Sequence, residues 1–319
     1  MISVENYTAT LSPKMRYGLG AALVLLGSAG FSAKAVLIRL AYRVEGHPVD
    51  SLSLLTLRMV FSVPVYLFIA YRLGRRSEVA PLSRRQVLTV AALGITGYYA
   101  ASLLDFLGLQ YVTAGVERLI LFVYPTIVLV ISALLFGQRI RPVQVGALLL
   151  TYAGIALAFL DDVDAGLQTN LPLGAALIFA CALVYALYLV GSGRVMQRVG
   201  SGRFTSYAML AAGGATFLSY LLTRDVTALF KMPAEIYSLS VWLALISTVL
   251  PTFLTAEGIR LIGSNNMAIV SSAGPVITIG LAYQFLGERV GIWQGLGTLL
   301  VLAGVLLISL RGRKAGPEV

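Results

Sequence analysis

Six charged residues lie inside long apolar runs of this chain: Lys34, Arg58, Asp105, Glu117, Arg118 and Glu257. A charge within a hydrocarbon core is costly, so each needs a partner, a job or both. Three bases and three acids make mutual pairing the first expectation. Counted from the ends of their runs, Lys34, Arg58, Asp105, Glu117 and Arg118 lie near one membrane face, at a depth of ~5–10 Å. Glu257 lies at the opposite face. Arg260 follows it by three positions, the spacing of a local helical ion pair, so Glu257 is left outside the site. The remaining cluster can hold a carboxylate at Lys34 or Arg58 and an ammonium at Glu117 or Asp105, as an amino-acid-like solute requires. Its positive balance would alternatively suit an organic anion.

Burial and a neighbouring cation act in opposite directions on a carboxylate's hold on its proton, which makes Glu117 the candidate for proton coupling. Facilitated diffusion with a permanently ionised Glu117 is the alternative. Arg118, about 100° round the helix from Glu117, can extend to the surface instead of into a cavity. If Glu117 faces inward, Leu121 and Tyr124 share its stripe.

Aromatic side chains supply further site chemistry, because a phenol offers both a ring face and a hydrogen bond. Tyr98, Tyr124 and Tyr185 are the candidates, with Phe31 and Tyr99 nearby, and Tyr98 precedes Asp105 by seven residues, nearly one helical face. Pro125 and Pro275 are candidate hinges, and Pro64 and Pro251 can act similarly; each removes a helical hydrogen bond and can leave a carbonyl facing a cavity. Cys181 is the single cysteine, read as a small core residue.

The elements that must position these groups follow from composition. Of 319 residues, 58% are hydrophobic and 12% charged, and the mean hydropathy is +0.86, outside the range of soluble domains. Apolar windows fall at about 17–41, 52–73, 87–109, 114–136, 144–160, 173–190, 204–222, 236–259, 267–286 and 293–310, most near the ~20 residues that cross a bilayer as a helix. The first follows Lys14 and Arg16 as a signal peptide would, but it is too long and carries Lys34, so it is read as a retained helix. With both termini cytoplasmic, inner segments collect 16 Lys and Arg residues and outer ones five. The net charge of +10 therefore reflects loop orientation, and no nucleic-acid partner is expected.

The chain also repeats itself. Gly108 matches Gly258, Pro125 matches Pro275, Gly137 matches Gly287, Arg139 matches Arg289, Gln144 matches Gln294 and Gly154 matches Gly304, each 150 residues on; upstream, LGAAL at Leu19 recurs at Leu173. Five spans per unit is odd, so the second unit enters from the opposite side. The expected fold is all-α and integral to the membrane: ten transmembrane helices as two inverted five-helix repeats, 17–160 and 173–310, around a central cavity. An N-terminal segment (1–16), an outer linker (161–172) and a cytoplasmic tail (311–319) complete it. Inverted repeats of this kind serve alternating access in secondary transporters.

This arrangement, with a Pro, an apolar stretch, G-[QE]-R and a final Gly-containing helix in each half, resembles the drug/metabolite transporter superfamily with tandem EamA-type domains. The clearest match is PVITIGLAYQFLGERVGIWQGLGTLLVLAGVLL, whereas the first half has Gln138 where the second has Glu288. The resemblance implies a helical bundle around a central cavity and transport of small metabolites, often export, without implying which.

One half serves as a control for the other. Under the same offsets Lys34 corresponds to Tyr188, Arg58 to Ala208, Asp105 to Thr255, Glu117 to Met267 and Arg118 to Ala268, all uncharged. The scaffold evidently holds without charge at those places, which points the cluster towards substrate or protons. No Walker-type loop, metal-ligand cluster or Ser-His-Asp set is present, and the one histidine, His47, falls in a loop. The expectation is a secondary transporter, an exporter in a cell inner membrane, with no cofactor or metal. Its partners are a small-molecule substrate, the lipid bilayer and protons as a candidate coupling ion; an intramembrane enzyme or a non-transporting subunit are the contrasting classes.

Overall fold

The computed structural model describes residues 12–46, 49–74, 82–136, 142, 145–146, 149–150, 152–157, 170–271, 273–288 and 291–312. His47, Gln138, Arg139, Gln144, Arg289, most of the linker expected at 161–172, and the ends of the chain lie outside the described residues. So do the side chains of Pro125 and Arg260. All elements among the described residues are helical. In chain order they are α1 (Pro13–Tyr42), α2 (Ser51–Gly74), α3 (Arg84–Gly94), a π-helical turn π1 (Ile95–Ala100), α4 (Ala101–Gly108), α5 (Ala114–Leu121), α6 (Tyr124–Phe136), α7 (Leu171–Val199), α8 (Ser201–Thr223), α9 (Thr227–Phe230), α10 (Ala234–Ala244), a second π-helical turn π2 (Leu245–Val249), α11 (Leu250–Ser271), α12 (Gly274–Leu286) and α13 (Ile292–Gly312).

Polar residues at the boundaries set the starts. Ser12 accepts from the Met15 N–H with Pro13 following; Ser83 and Gln86 cap each other's backbone at α3; and Thr113 accepts from the Val116 N–H. Gly200, at φ 87, turns the chain between α7 and α8. Among the described residues, six helical stretches are long and apolar enough to cross a membrane: Lys14–Tyr42, Ser51–Leu73, Arg84–Gly108, Ala114–Leu135, Leu171–Gly193 and Ala234–Thr255. Gly274–Leu286 and Ile292–Gly304 are shorter apolar helices, and α8 is long but rich in Ser, Thr and Gly. Exposed Leu67, Phe68, Leu134, Leu221, Leu222 and Leu299 face outward, as a lipid-facing surface requires. Many buried hydroxyls bond back to their own helices, as Thr56 does to the Leu52 carbonyl, Ser62 to Arg58 and Thr216 to Ala212, which satisfies their polarity without water.

Two interfaces organise the bundle, and they match. On α4, a Cβ added to Gly108 would meet Ile178 at 2.4 Å and the Gly174 carbonyl at 3.3 Å; on α11, one added to Gly258 would meet Val24 at 2.4 Å and the Gly20 carbonyl at 3.1 Å. Glycine is what lets these backbones approach so closely. Gly108 and Gly258 are 150 apart, while Val24 and Ile178, like Gly20 and Gly174, are 154 apart. The helix breaks recur likewise. α3 and α10, α6 and α12, and the starts of π1 and π2 all lie 150 residues apart. In the second half Pro251 cannot donate to the Ser247 carbonyl, and the Leu250 N–H reaches back to Leu245 instead.

The path of the chain follows from its contacts with α1. Gly30, Gly27, Gly20 meet Pro251, Thr255 and Ile262 respectively, so this part of α11 runs antiparallel to α1. The Ser32 hydroxyl donates to the Gly274 carbonyl and Arg43 to the Leu286 carbonyl, so α12 runs parallel to it. The largest apolar core, including Ile38, Leu54, Leu57, Phe106, Leu243 and Leu286, seals the end of the bundle where α1 finishes.

Two expectations are corrected. The run expected to continue as one helix over 114–136 is broken at Phe122 and Val123, where the Phe122 N–H closes α5 on the Arg118 carbonyl and α6 restarts at Tyr124. The stripe joining Glu117 to Tyr124 is thus interrupted, because seven-residue spacing keeps a face only along unbroken helix. Pro125 and Pro275 fall in the first turns of α6 and α12, where a missing N–H costs little, rather than at kinks inside longer helices.

Candidate functional site

Three of the expected charges meet in one place. Lys34 Nζ of α1 lies 2.6 Å from Asp105 Oδ2 of α4 and 3.8 Å from Glu117 Oε1 of α5. The Asp105 side chain is 1% exposed and that of Glu117 fully buried, while Lys34 keeps 18%. Both carboxylates lie in the helical run in which the sequence put them, but only the packing of α1 against α4 and α5 makes them share a lysine. Asp105 and Glu117 also lie within hydrogen-bonding reach of one another, and beyond that contact and Lys34 their oxygens accept from no described residue. Buried carboxylate oxygens with open acceptor capacity are a strong demand for a further donor.

Arg58 approaches the same group from α2. It is 4% exposed, donates to the Ser102 hydroxyl at 3.1 Å, holds its guanidinium 5.1 Å from the centre of the Phe106 ring and interacts electrostatically with Asp105. Ser102 and Phe106 were not among the candidates; their signal was their place beside an expected site residue, Ser102 one turn before Asp105 and Phe106 directly after it.

The aromatic candidates form a second, adjoining wall. Tyr188 of α7 donates its hydroxyl to that of Tyr98 at 2.9 Å, with the rings 5.1 Å apart; Tyr188 stacks on Tyr185 at 5.7 Å, and Tyr185 meets Tyr124 edge-on at 5.3 Å. Tyr98 sits in π1, and a Cβ on neighbouring Gly97 would fall 2.2 Å from the Tyr188 ring, so glycine is needed for the wall to close. The structure thus pairs Tyr98 with Tyr188, a residue that sequence comparison met only as the uncharged counterpart of Lys34. Tyr98 and Tyr99 both pack against the large core as well. Cys181, one turn before Tyr185 on α7, lies within electrostatic reach of Asp105, Lys34 and Glu117, at the join between wall and charges.

Arg118 is partly buried and turns towards the second half of the chain. Its guanidinium lies 5.4 Å from the centre of Phe122 and against Gly274 at the start of α12. Glu257 is half-buried on α11, at the level where the next residue, Gly258, packs on Gly20 and Val24 of α1, away from these groups. At the sealed end, Glu288 accepts from the Ala114 N–H at 3.2 Å and faces Arg39 at 4.0 Å, while Arg39 donates to the Leu109 carbonyl at 3.2 Å. These contacts tie the end of α12 to the start of α5. Among the described residues no group of three His, Cys, Asp or Glu side chains is placed to hold a metal ion.

Comparison with known proteins gives this geometry a context. The EamA-like transporter family matches the chain twice, over residues 18–160 and 172–310. The chain is similar to the uncharacterized transporter YcbK of Bacillus subtilis, with 32% identity over 307 residues, 94% of this chain and 95% of that protein. It is also similar to a probable terminal-alkyne amino-acid exporter of Streptantibioticus cattleyicolor, with 27% identity covering 71% of this chain and 74% of that one. A probable amino-acid metabolite efflux pump of Escherichia coli is 24% identical, covering 86% and 91% respectively.

Proposed function

The chain belongs to the EamA-like transporter family, a family of membrane transporters, and from that premise we propose that it exports small zwitterionic metabolites such as amino acids. The observation that carries this reading is the buried Lys34–Asp105–Glu117 cluster, whose carboxylate oxygens have acceptor capacity left for a substrate ammonium. Lys34, Arg58, Tyr98, Asp105, Glu117, Tyr124 and Tyr185 are the proposed substrate-binding residues. The names of two relatives, an amino-acid exporter and an amino-acid metabolite efflux pump, agree with this solute class.

Transport proceeds, in this proposal, by alternating access of two inverted five-helix repeats, 17–160 and 173–310, with Pro125 and Pro275 at the breaks about which they rock. Ten crossings, in this reading, return both termini to one side of a cell inner membrane, and the excess of Lys and Arg in the segments on that side supports its being cytoplasmic. The matched interfaces, the breaks 150 residues apart and the two family matches support the repeat. Glu117 is the proposed proton carrier, because it is the more loosely held of the two carboxylates on Lys34. A second reading, an organic-anion carrier, is favoured by three cations against two carboxylates in the cluster.

Flux in proteoliposomes tests these readings together. Radiolabelled amino acids, organic acids and amines are offered to the parent and to Glu117→Gln, with and without an imposed pH gradient. We expect amino-acid flux that the gradient drives uphill in the parent and not in Glu117→Gln. Flux of organic acids alone would replace the first reading by the second, and flux of neither class would reject both. A variant that kept the parent's pH dependence would remove Glu117 from coupling.

A further inference from the structure

Each half of the chain carries a broken helix, and Arg118 reaches from one break to the other. α5 ends at Leu121 and α6 begins at Tyr124; α11 ends at Ser271 and α12 begins at Gly274. Arg118 stands one turn before the first break, yet a Cβ built on Gly274 would lie 2.8 Å from its terminal nitrogen. Its guanidinium is also within electrostatic reach of Tyr124 and Tyr185.

Among the described residues, no carboxylate lies within 4.0 Å of Arg118, and its Nε is buried without a hydrogen-bond partner. The other two cations are committed, Lys34 to Asp105 and Glu117, and Arg58 to Ser102 and Phe106. Arg118 lies within electrostatic reach of Glu117 but makes no ion pair with it, and with three cations against two carboxylates the cluster carries one positive charge in surplus. A cation inside a membrane bundle without a direct ion pair among the described residues is expensive, and an anion from outside the chain would complete it.

We propose that Arg118 is the carboxylate-binding residue of the substrate site and that the site selects amino acids with apolar side chains. The proposal rests on the amino-acid reading above and moves the carboxylate from Lys34 or Arg58, both occupied, to Arg118. A planar guanidinium matches a carboxylate with two parallel hydrogen bonds. The first turn of α12, beside it, adds N–H groups without intrahelical acceptors and the positive end of a 13-residue helix. The Tyr124 and Tyr185 rings, edge-on to one another next to the guanidinium, offer an apolar surface for the side chain. The substrate ammonium then replaces Lys34 at Glu117, the looser of its two contacts.

Binding of leucine, leucinamide and 3-methylbutylamine to the purified protein in detergent tests this, because the three differ only at the carboxylate. The parent is expected to bind leucine at least tenfold more tightly than either analogue. Arg118→Gln should weaken leucine by about tenfold to a hundredfold while leaving leucinamide within a factor of about three, and Arg118→Lys should retain part of the preference. Gly274→Ala forces the guanidinium to move without touching its charge, and should weaken leucine selectively by about tenfold. This variant carries the test if Arg118→Gln does not fold. Full preference for leucine over leucinamide in either folded variant would overturn the assignment of Arg118 while leaving the amino-acid reading intact. A parent that binds none of the three compounds, nor any other amino acid, would overturn both.

Discussion

Replacing Lys34 by Met removes the only residue that pairs with both buried carboxylates among the described residues, and keeps nearly the same volume. At an effective dielectric constant near 20, charges 2.6 Å and 3.8 Å apart attract by about 6 and about 4 kcal/mol before desolvation is counted. Much of this offsets the cost of burying the ions, so the loss seen on mutation is the penalty of the orphaned carboxylates, about 3–5 kcal/mol for a broken buried pair. With the Lys34 side chain only 18% exposed, solvent screening reduces the figure little. Lys34→Met should therefore destabilise the protein by about 3–5 kcal/mol in a reversible denaturant titration in micelles. Double-mutant cycles with Asp105→Asn and Glu117→Gln divide that loss. The coupling to Asp105 should exceed the coupling to Glu117 by a factor of about 1.5, the inverse ratio of the two distances. A cost under about 1 kcal/mol for Lys34→Met, or a stronger coupling to Glu117 than to Asp105, would refute the reasoning.

Gly97→Ala should lower stability by about 1–3 kcal/mol, because its Cβ meets a Tyr188 ring already held by Tyr98, Tyr185 and Phe204; Gly214→Ala, with open space around it, should be neutral or stabilising in the same thermal melt. At the sealed end, Glu288→Ala leaves the buried Ala114 N–H without its acceptor and should cost about 1–3 kcal/mol, whereas Glu288→Gln keeps an acceptor there and should cost less than half as much; equal costs would show that the Arg39 ion pair matters more than that hydrogen bond.

Much of the site was legible in the chain because lipid makes charge conspicuous. In an interior that penalises ions, Lys34, Asp105 and Glu117 stand out as residues by type and depth alone, and their uncharged counterparts 150 or 154 positions away mark them as asymmetric. The repeat was legible for a related reason: close helix contacts tolerate only small residues, so Gly108, Gly258, Gly20 and Gly174 recur wherever the two matched interfaces do.

What the sequence determined by itself was the membrane class, the helical periodicity, the repeat offsets and the identity of the costly charges, because each depends on residue type and spacing along one chain. Partnership was decided only by tertiary structure. Lys34 takes Asp105 and Glu117, Arg58 takes Ser102 and Phe106, Tyr98 takes Tyr188, and Arg118 comes to rest beside Gly274 with no direct ion pair among the described residues. Three bases and two acids admit many pairings of similar local energy, and a break at Phe122 or a π turn at Ile95 rotates every later side chain about its helix axis. Which charge meets which is set by how α1, α4, α5 and α12 pack in three dimensions, a long-range property that spacing within any one helix does not contain.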